Sequence, residues 1–278
     1  MDELKDFLKR VLKEDIGDGD HTSLATIPED AIGKAQLLVK ENGVAAGVDV
    51  AVEIFKLYDK NLKVEVLIKD GTPIKKGDKI LIVEGSSRSI LTIERTVLNI
   101  MQRMSGIATK TRTLADTIKP TKAKLLDTRK TTPNMRFLEK QAVLIGGGFN
   151  HRFGLYDMMM IKDNHIDFAG GIPQAIDKAK AYLKKNKLNL KIEIEVRDLN
   201  ELDQVLLHGG VDRIMLDNFT PANIEKAVNK IKGQYETEAS GGINESNILE
   251  YALTGVDYIS VGALTHSVKS LDLSLKAF

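Results

Sequence analysis

Three short stretches hold the residue types that could do chemistry: Asp127-Thr128-Arg129-Lys130-Thr131, Gly146-Gly147-Gly148-Phe149-Asn150-His151-Arg152 and Met158-Met159-Met160-Ile161-Lys162-Asp163-Asn164-His165. Each cationic group follows an apolar run or sits beside glycines, which places the cations near strand ends and tight turns. Arg129, Lys130, His151, Arg152 and Lys162 then share one region and require anions, because a buried cation cluster without counter-charge is too costly to keep. Scattered lysines usually form nothing more than a solvated basic face. Three of these five are Arg or His, however, and these suit planar carboxylates and phosphates. The pattern points to a pocket for an anionic ligand.

The bulk composition narrows what such a pocket can serve. The chain has 278 residues, with 42% hydrophobic and 28% charged, ordinary for a globular protein. Lys plus Arg number 40 against 39 Asp plus Glu, a formal net charge of +1. That balance exerts no global pull on nucleic acid or a membrane surface, so any basic function is local. There are no cysteines, which excludes disulfides, thiolate metal sites and thiol nucleophiles. The absence of tryptophan argues against a base-stacking platform. Met1-Asp2-Glu3-Leu4 is acidic and unlike a signal peptide, and no apolar run is long enough to span a bilayer. A cytoplasmic protein is the expectation.

Leu4, Phe7, Leu8, Val11 and Leu12 recur at helical spacing, predicting an amphipathic first helix that ends before Asp15. The Asp15 to Thr22 stretch alternates Asp with Gly like a calcium loop, yet lacks the closing glutamate of that pattern. It reads as a structural turn whose Asp side chains cap backbone amides. Residues 34–40, 62–68 and 80–83 read as strands, 48–58 as a helix and 71–78 as a turn. Residues 93–109 give the strongest helix, with Ile93, Val97, Ile100, Met101, Met104 and Ile107 on one face. Its other face carries Arg95, Asn99, Gln102 and Arg103, a stripe suited either to solvent or to another polar surface.

From Lys122 short apolar runs alternate with helical segments: 123–126, 158–161, 192–196, 213–216, 235–239 and 258–261. That alternation means a parallel sheet, and its even spacing favours a β/α barrel over an open doubly wound sheet. Leu271, Leu273 and Leu275 then alternate with polar residues, which is strand periodicity. A lone final strand needs a sheet to join, and the β-rich first domain is its natural host. The barrel would then be an insertion in that domain.

Barrel sites lie at the C-terminal ends of the strands. Asp127, Arg129 and Lys130 follow the first run, and Lys162, Asn164 and His165 the second. Glu193 and Glu195 belong to the third, and Asp217-Asn218 closes the fourth. Ser240-Gly241-Gly242-Ile243 and Gly262-Ala263, with His266 beyond, follow the last two. Glycine turns after consecutive late strands, each feeding a helix N-terminus, are a phosphate site built from backbone N–H groups. Glu195 and Asp217 suit ribose hydroxyls or Mg²⁺, a hard ion that takes oxygen ligands; equally, they suit salt bridges to Arg129 and Lys162. His151 has no Ser or Cys nucleophile context, which disfavours a hydrolytic triad.

With those residues in view, the chain resembles the quinolinate phosphoribosyltransferase family. The resemblance rests on Glu94-Arg95-Thr96 with Leu98-Asn99, Ser105-Gly106-Ile107-Ala108-Thr109, Asp127 to Thr131 and Gly147-Gly148 with Asn150-His151-Arg152. Lys162-Asp163-Asn164-His165, Glu195, Leu216-Asp217-Asn218 and Ser240-Gly241-Gly242-Ile243 extend it, in order, from Asp15 to the C-terminus. It implies an α/β fold: an N-terminal open sandwich over residues 1–104, joined by a C-terminal strand in 267–278, and an incomplete β/α barrel over 105–266. It implies a homodimer in which one chain's sandwich covers the other's barrel mouth, bringing Arg95 to the partner's site. Arg95, Arg129, His151, Arg152 and Lys162 would hold the two quinolinate carboxylates, and Lys130 and Lys162 pyrophosphate. Glu195 and Asp217 would take the ribose hydroxyls and Mg²⁺, the one cofactor implied. Ser240, Gly241, Gly242, Gly262 and His266 would bind the 5-phosphate, with Lys130, Lys162, Glu195 and Asp217 as the catalytic set. Two rivals differ in what they need: a phosphoribosyltransferase for another aromatic acid such as nicotinate needs fewer cations, and a non-catalytic sugar-phosphate-binding barrel needs neither Glu195 nor the Arg95 stripe.

Overall fold

A computed structural model describes residues 2–278. The chain divides into two units. The first comprises the described residues up to Arg112 together with 132–147 and 267–278. The second comprises 113–131 and 148–266.

The first unit opens with α1 (Asp2–Ile16), which buries Phe7, Leu8 and Leu12. It runs past Asp15 and stops at Gly17, whose φ of 59° suits a residue without a Cβ. A short unanticipated helix, α2 (His21–Thr26), follows. The Asp-Gly stretch is the structural turn expected: Asp20 accepts from the Ser23 N–H at 3.0 Å and the Ser23 hydroxyl at 2.6 Å, capping α2. Then come β1 (Ile32–Val39), β2 (Gly43–Val44), α3 (Val48–Tyr58), β3 (Lys63–Val66), β4 (Pro73–Ile74) and β5 (Lys79–Ser86). The stretch read as a plain turn holds β4, which pairs with β2.

The long helix α4 (Ser87–Ile118) exceeds the predicted 93–109 at both ends. Its apolar face continues beyond Thr109 through Leu114 and Ile118, both buried, on the far side of a polar run that hid the period. The face expected from Ile93 to Ile107 is buried throughout. The boundary expected between residues 104 and 105 lies inside this helix. The first unit also takes in residues 132–147, which contain an unanticipated helix, α5 (Arg136–Ile145). Packing explains why: Phe137 meets Phe7 edge to face with ring centroids 5.4 Å apart, and Arg103 binds Glu139.

The alternation at the C-terminus becomes β12 (Leu273–Ala277), antiparallel to β1, with Leu275 opposite Leu37 and Leu273 opposite Val39. All four are buried, so the period of two chose both the face and the host sheet. The sheet order is β12-β1-β5-β3.

The second unit contains β6 (Lys124–Leu126), β7 (Met159–Ile161), α6 (Asp163–Ala169), α7 (Ile172–Asn186), β8 (Ile192–Val196), α8 (Leu199–His208), β9 (Arg213–Asp217), α9 (Pro221–Ile231), β10 (Glu236–Ser240), α10 (Ile248–Leu253), β11 (Tyr258–Ser260) and α11 (Ala263–His266). Its strands are parallel, in the order β6-β11-β10-β9-β8-β7. Among the described residues β6 and β7 are the two ends of this sheet, which makes the barrel incomplete, as expected. Every residue of β8 is buried, although two are glutamates. No helix among the described residues is long and apolar enough to cross a membrane.

Candidate active site

The C-terminal ends of the parallel strands surround a cavity of about 840 Å³ within the second unit. Arg129, Lys130, His151, Arg152, Lys162, Glu195, Asp217, Ser240, Gly241, Gly242, Gly262 and His266 all line it. Arg95 belongs to the other unit, where it stands exposed on α4 with Asn99. The polar stripe on α4 is divided: Gln102 donates to the Leu273 carbonyl at 2.9 Å, and Arg103 grips the buried Glu139 carboxylate at 2.8 Å. Half the stripe therefore serves its own unit.

The loop after β6 brings in Arg129 and Lys130. The Thr128 hydroxyl accepts from the Lys130 N–H at 3.0 Å, and the Lys130 carbonyl accepts from the Thr265 hydroxyl at 2.7 Å. This second bond ties the loop to the turn after β11. A Cβ on Gly262 would come 2.9 Å from Lys130 Cδ and 3.1 Å from the His266 ring, so only a bare backbone lets these side chains close over it.

Lys162 leads α6, with its N–H bonded to His165 Nδ1 at 2.9 Å. His165 is thereby a cap for the helix. The Lys162 ammonium reaches Glu195 Oε2 at 3.0 Å, so the salt-bridge alternative for Glu195 is realised with Lys162. Asp217 instead accepts from Asn218 Nδ2 at 2.7 Å.

At the glycine turn after β10, Gly241 and Gly242 have φ of 96° and 66°. A Cβ on Gly241 would collide with the Asn218 side chain. The turn after β11 leads directly into a helix, as expected, whereas the one after β10 does so only after a further turn. Asn244 and Asn247 fold the chain back by donating to the Gly242 carbonyl at 3.2 Å, and α10 begins only at Ile248. After β11 there is a single helical turn, α11.

Below the mouth His151, which the resemblance places among the dicarboxylate ligands, meets Glu193 and Glu238, two carboxylates that received no role. His151 Nε2 lies 3.0 Å from Glu193 Oε2 and 3.3 Å from Glu238 Oε2, and all three residues are buried. Burial works to lower the His151 imidazole pKa and the two carboxylates pull it up, but the Arg152 N–H that enters Nδ1 at 2.6 Å leaves no lone pair for a second ring proton. Burial and the neighbouring Glu238 push the Glu193 carboxyl up to about 7. Burial opposes the Glu238 charge too, yet His151, Ser260 and Arg213 hold that carboxyl below the usual range. Burial and the adjacent Arg129 make Arg152 easier to deprotonate, against the pull of Glu193 and Asp157. The missed signal was charge inside the apolar strands: Glu193 shares the inward face of β8 with Glu195, and Glu238 sits mid-strand in β10.

The arrangement offers guanidinium and ammonium groups for a compact polyanion, carboxylates for hydroxyls or a hard cation, and glycine turns for phosphate. Comparison with known proteins bears on what that polyanion is. Residues 20–105 match the family described as "Quinolinate phosphoribosyl transferase, N-terminal domain", and residues 107–276 the corresponding C-terminal domain. The chain is 48% identical over 289 residues to tobacco (Nicotiana tabacum) "Quinolinate phosphoribosyltransferase [decarboxylating] 1b", covering 99% of this chain and 82% of that protein. It is 47% identical to the Arabidopsis thaliana "Nicotinate-nucleotide pyrophosphorylase [carboxylating], chloroplastic", with the same coverage. The crystal structure of NadC from Streptococcus pyogenes superposes with a TM-score of 0.93 at 41% identity, covering 98% of this chain and 94% of that one. The chain belongs to the quinolinate phosphoribosyl transferase family.

Proposed function

We propose that this protein transfers the phosphoribosyl group of phosphoribosyl pyrophosphate to quinolinate with decarboxylation. The products are nicotinate mononucleotide, pyrophosphate and CO₂, a step of de novo NAD biosynthesis. The observation that carries the reading is that one cavity is lined both by Arg129, Arg152 and Lys162 and by the Ser240-Gly241-Gly242 turn. A dicarboxylate needs the first group and a sugar phosphate the second.

The chain's own residues supply most of the chemistry. Arg129, Arg152 and Lys162 orient the ring so that its nitrogen faces the ribose carbon, and the backbone turns hold the 5-phosphate. Lys130 and Lys162 stabilise the departing pyrophosphate as the C–O bond breaks and the ring nitrogen bonds to that carbon. The nitrogen then carries positive charge and withdraws the electron pair left when the adjacent carboxylate departs as CO₂. A solvent proton replaces it.

Glu195 and Asp217 are oxygen donors on neighbouring strands, a donor set that fits Mg²⁺. When bound, the ion neutralises charge on the pyrophosphate. The same reading has two copies share each site, with Arg95 reaching the partner's cavity; its exposure on α4 supports this. It also has the enzyme act in the cytoplasm, although names of tobacco and Arabidopsis relatives include "mitochondrial" or "chloroplastic".

Incubation with phosphoribosyl pyrophosphate, Mg²⁺ and either quinolinate or nicotinate tests the reading. Pyrophosphate and CO₂ released together, with quinolinate alone, are the expected result. Pyrophosphate without CO₂ would move the substrate to a monocarboxylate, and neither product would leave only a binding protein. Sedimentation, with Arg95→Ala and Arg129→Ala chains assayed apart and mixed, tests the shared site. Activity regained on mixing supports it.

A further inference from the structure

His151 has its polar atoms turned toward the protein. Its backbone N–H donates to the buried Asp127 carboxylate at 2.8 Å. Its Nδ1 accepts from the Arg152 N–H at 2.6 Å. Its Nε2 lies 3.0 Å from Glu193 Oε2 and 3.3 Å from Glu238 Oε2, where one N–H can be shared between two acceptors. A ring nitrogen that receives an amide N–H needs its lone pair, so the ring proton belongs on Nε2, on the carboxylate side. Both ring nitrogens are thus directed to protein groups, and the side chain is 4% exposed.

Three buried ligand-type side chains within reach of one another also suit a cation. Two contacts oppose that reading. A metal on Nε2 would require the proton on Nδ1, head-on against the Arg152 amide. Arg213 already donates to Glu238 at 3.1 Å and brings a positive charge to the same point.

The geometry points to Glu193 and Glu238 as positioning residues for the acid-binding half of the site: they fix the His151 ring so that Nδ1 receives the Arg152 N–H and Arg152 stands beside Arg129. His151 is by this account a positioning residue as well, acting through Arg152, and not a direct ligand of the dicarboxylate. The inference deepens the proposed function and rests on it for its kinetic test.

Two substitutions at Glu193 separate positioning from simple electrostatics. Glu193→Gln keeps an acceptor oxygen for the Nε2 proton, and Glu193→Leu removes it; both delete a negative charge beneath the cations. By Coulomb's law alone both should tighten the hold on a dianion. Positioning instead predicts that Glu193→Leu raises the quinolinate KM about tenfold, leaves the phosphoribosyl pyrophosphate KM within about twofold, and is largely rescued in Glu193→Gln. A fall in quinolinate KM in both variants, or no change in Glu193→Leu, overturns it.

Should Glu193→Leu fail to fold, ¹⁵N spectra of histidine-labelled wild-type protein give an independent answer. The His151 ring is expected as the tautomer protonated at Nε2, unchanged when Zn²⁺ is added to metal-stripped protein. Protonation at Nδ1, or a Zn²⁺-dependent shift, overturns the inference. Because the spectra need no turnover, they distinguish failure of this inference from failure of the proposed reaction.

Discussion

Lys162 Nζ and Glu195 Oε2 lie 3.0 Å apart across the ends of two neighbouring strands, β7 and β8. The ammonium is neutralised by a carboxylate that the proposed reaction assigns to ribose and Mg²⁺. Lys162 must therefore exchange a protein anion for a substrate anion, and Glu195 a protein cation for a hydroxyl or metal. This exchange couples the two substrates' subsites. In Glu195→Gln, Lys162 loses its competitor, so quinolinate binding should hold or tighten while the Mg²⁺ concentration giving half-maximal rate rises about tenfold. Titration calorimetry with quinolinate and rate measurements across Mg²⁺ concentrations check the two halves. Weaker quinolinate binding in this variant would show that the pair is not competitive.

Arg129 is the cation whose charge acts on Arg152, and a guanidinium is hard to replace in gripping a planar carboxylate. Arg129→Ala should abolish measurable turnover, a loss on the order of a hundredfold or more. Circular dichroism should remain that of the parent, because the side chain is exposed at the cavity wall and not packed in the core. Near-normal steady-state rates would remove Arg129 from its assigned role.

Arg103 shows how a stripe that resembles an interface can be internal. Its guanidinium donates from Nε and Nη2 to a single Glu139 oxygen, at 3.1 and 2.8 Å, and Glu139 is fully buried. Removing one partner of a buried pair strands the other, so Arg103→Ala should cost about 3–5 kcal/mol. The urea midpoint reports it. Arg103→Ala with Glu139→Leu should recover much of the loss, since no buried charge is then left uncompensated.

How much of this was legible beforehand follows from the length scale of each signal. That a final strand joins the first unit's sheet was readable because leucines at every second position leave one face to bury, although the pairing with β1 itself was not. The strand-end cations were readable because parallel β/α topology exposes whatever follows each apolar run. The division of the α4 stripe was not, since Glu139 lies 36 residues from Arg103 and solvent, interface and self-contact look alike in one dimension. Glu238 went unread for a related reason: a charge mid-strand in β10 gains meaning only when β8 and the segment leading into β7 bring Glu193 and His151 beside it. The helix after β10 is present but starts only at Ile248, because Asn244 and Asn247 hold the preceding backbone in a turn through side-chain bonds.

The same buried cluster makes stability pH-dependent. Glu193 is raised above its unfolded value, so folding takes up a proton there, while the Arg152 N–H on Nδ1 keeps the His151 ring singly protonated. The Glu193 stabilisation is complete below 4.5 and fades as pH passes about 7. The urea midpoint should therefore fall as pH rises from about 5 to about 8. Glu193→Gln should flatten that slope. A midpoint that rises over this interval would mean the cluster gives up protons on folding instead.

Gly241 offers the most local test of the phosphate turn. Its φ of 96° is strained for any residue with a Cβ, and a methyl group there would strike Asn218, itself at φ 55°. The Asn218 N–H donates to the Ser240 carbonyl at 2.8 Å, so displacing Asn218 also loosens the end of β10. Gly241→Ala should thus cost about 1–3 kcal/mol of folding stability. Its kinetic effect should be selective, raising the KM for phosphoribosyl pyrophosphate about tenfold or more with little change in quinolinate affinity, because the dicarboxylate cations sit on other loops. Equal damage to both substrates would mean that the turn shapes the whole cavity and not the phosphate end alone.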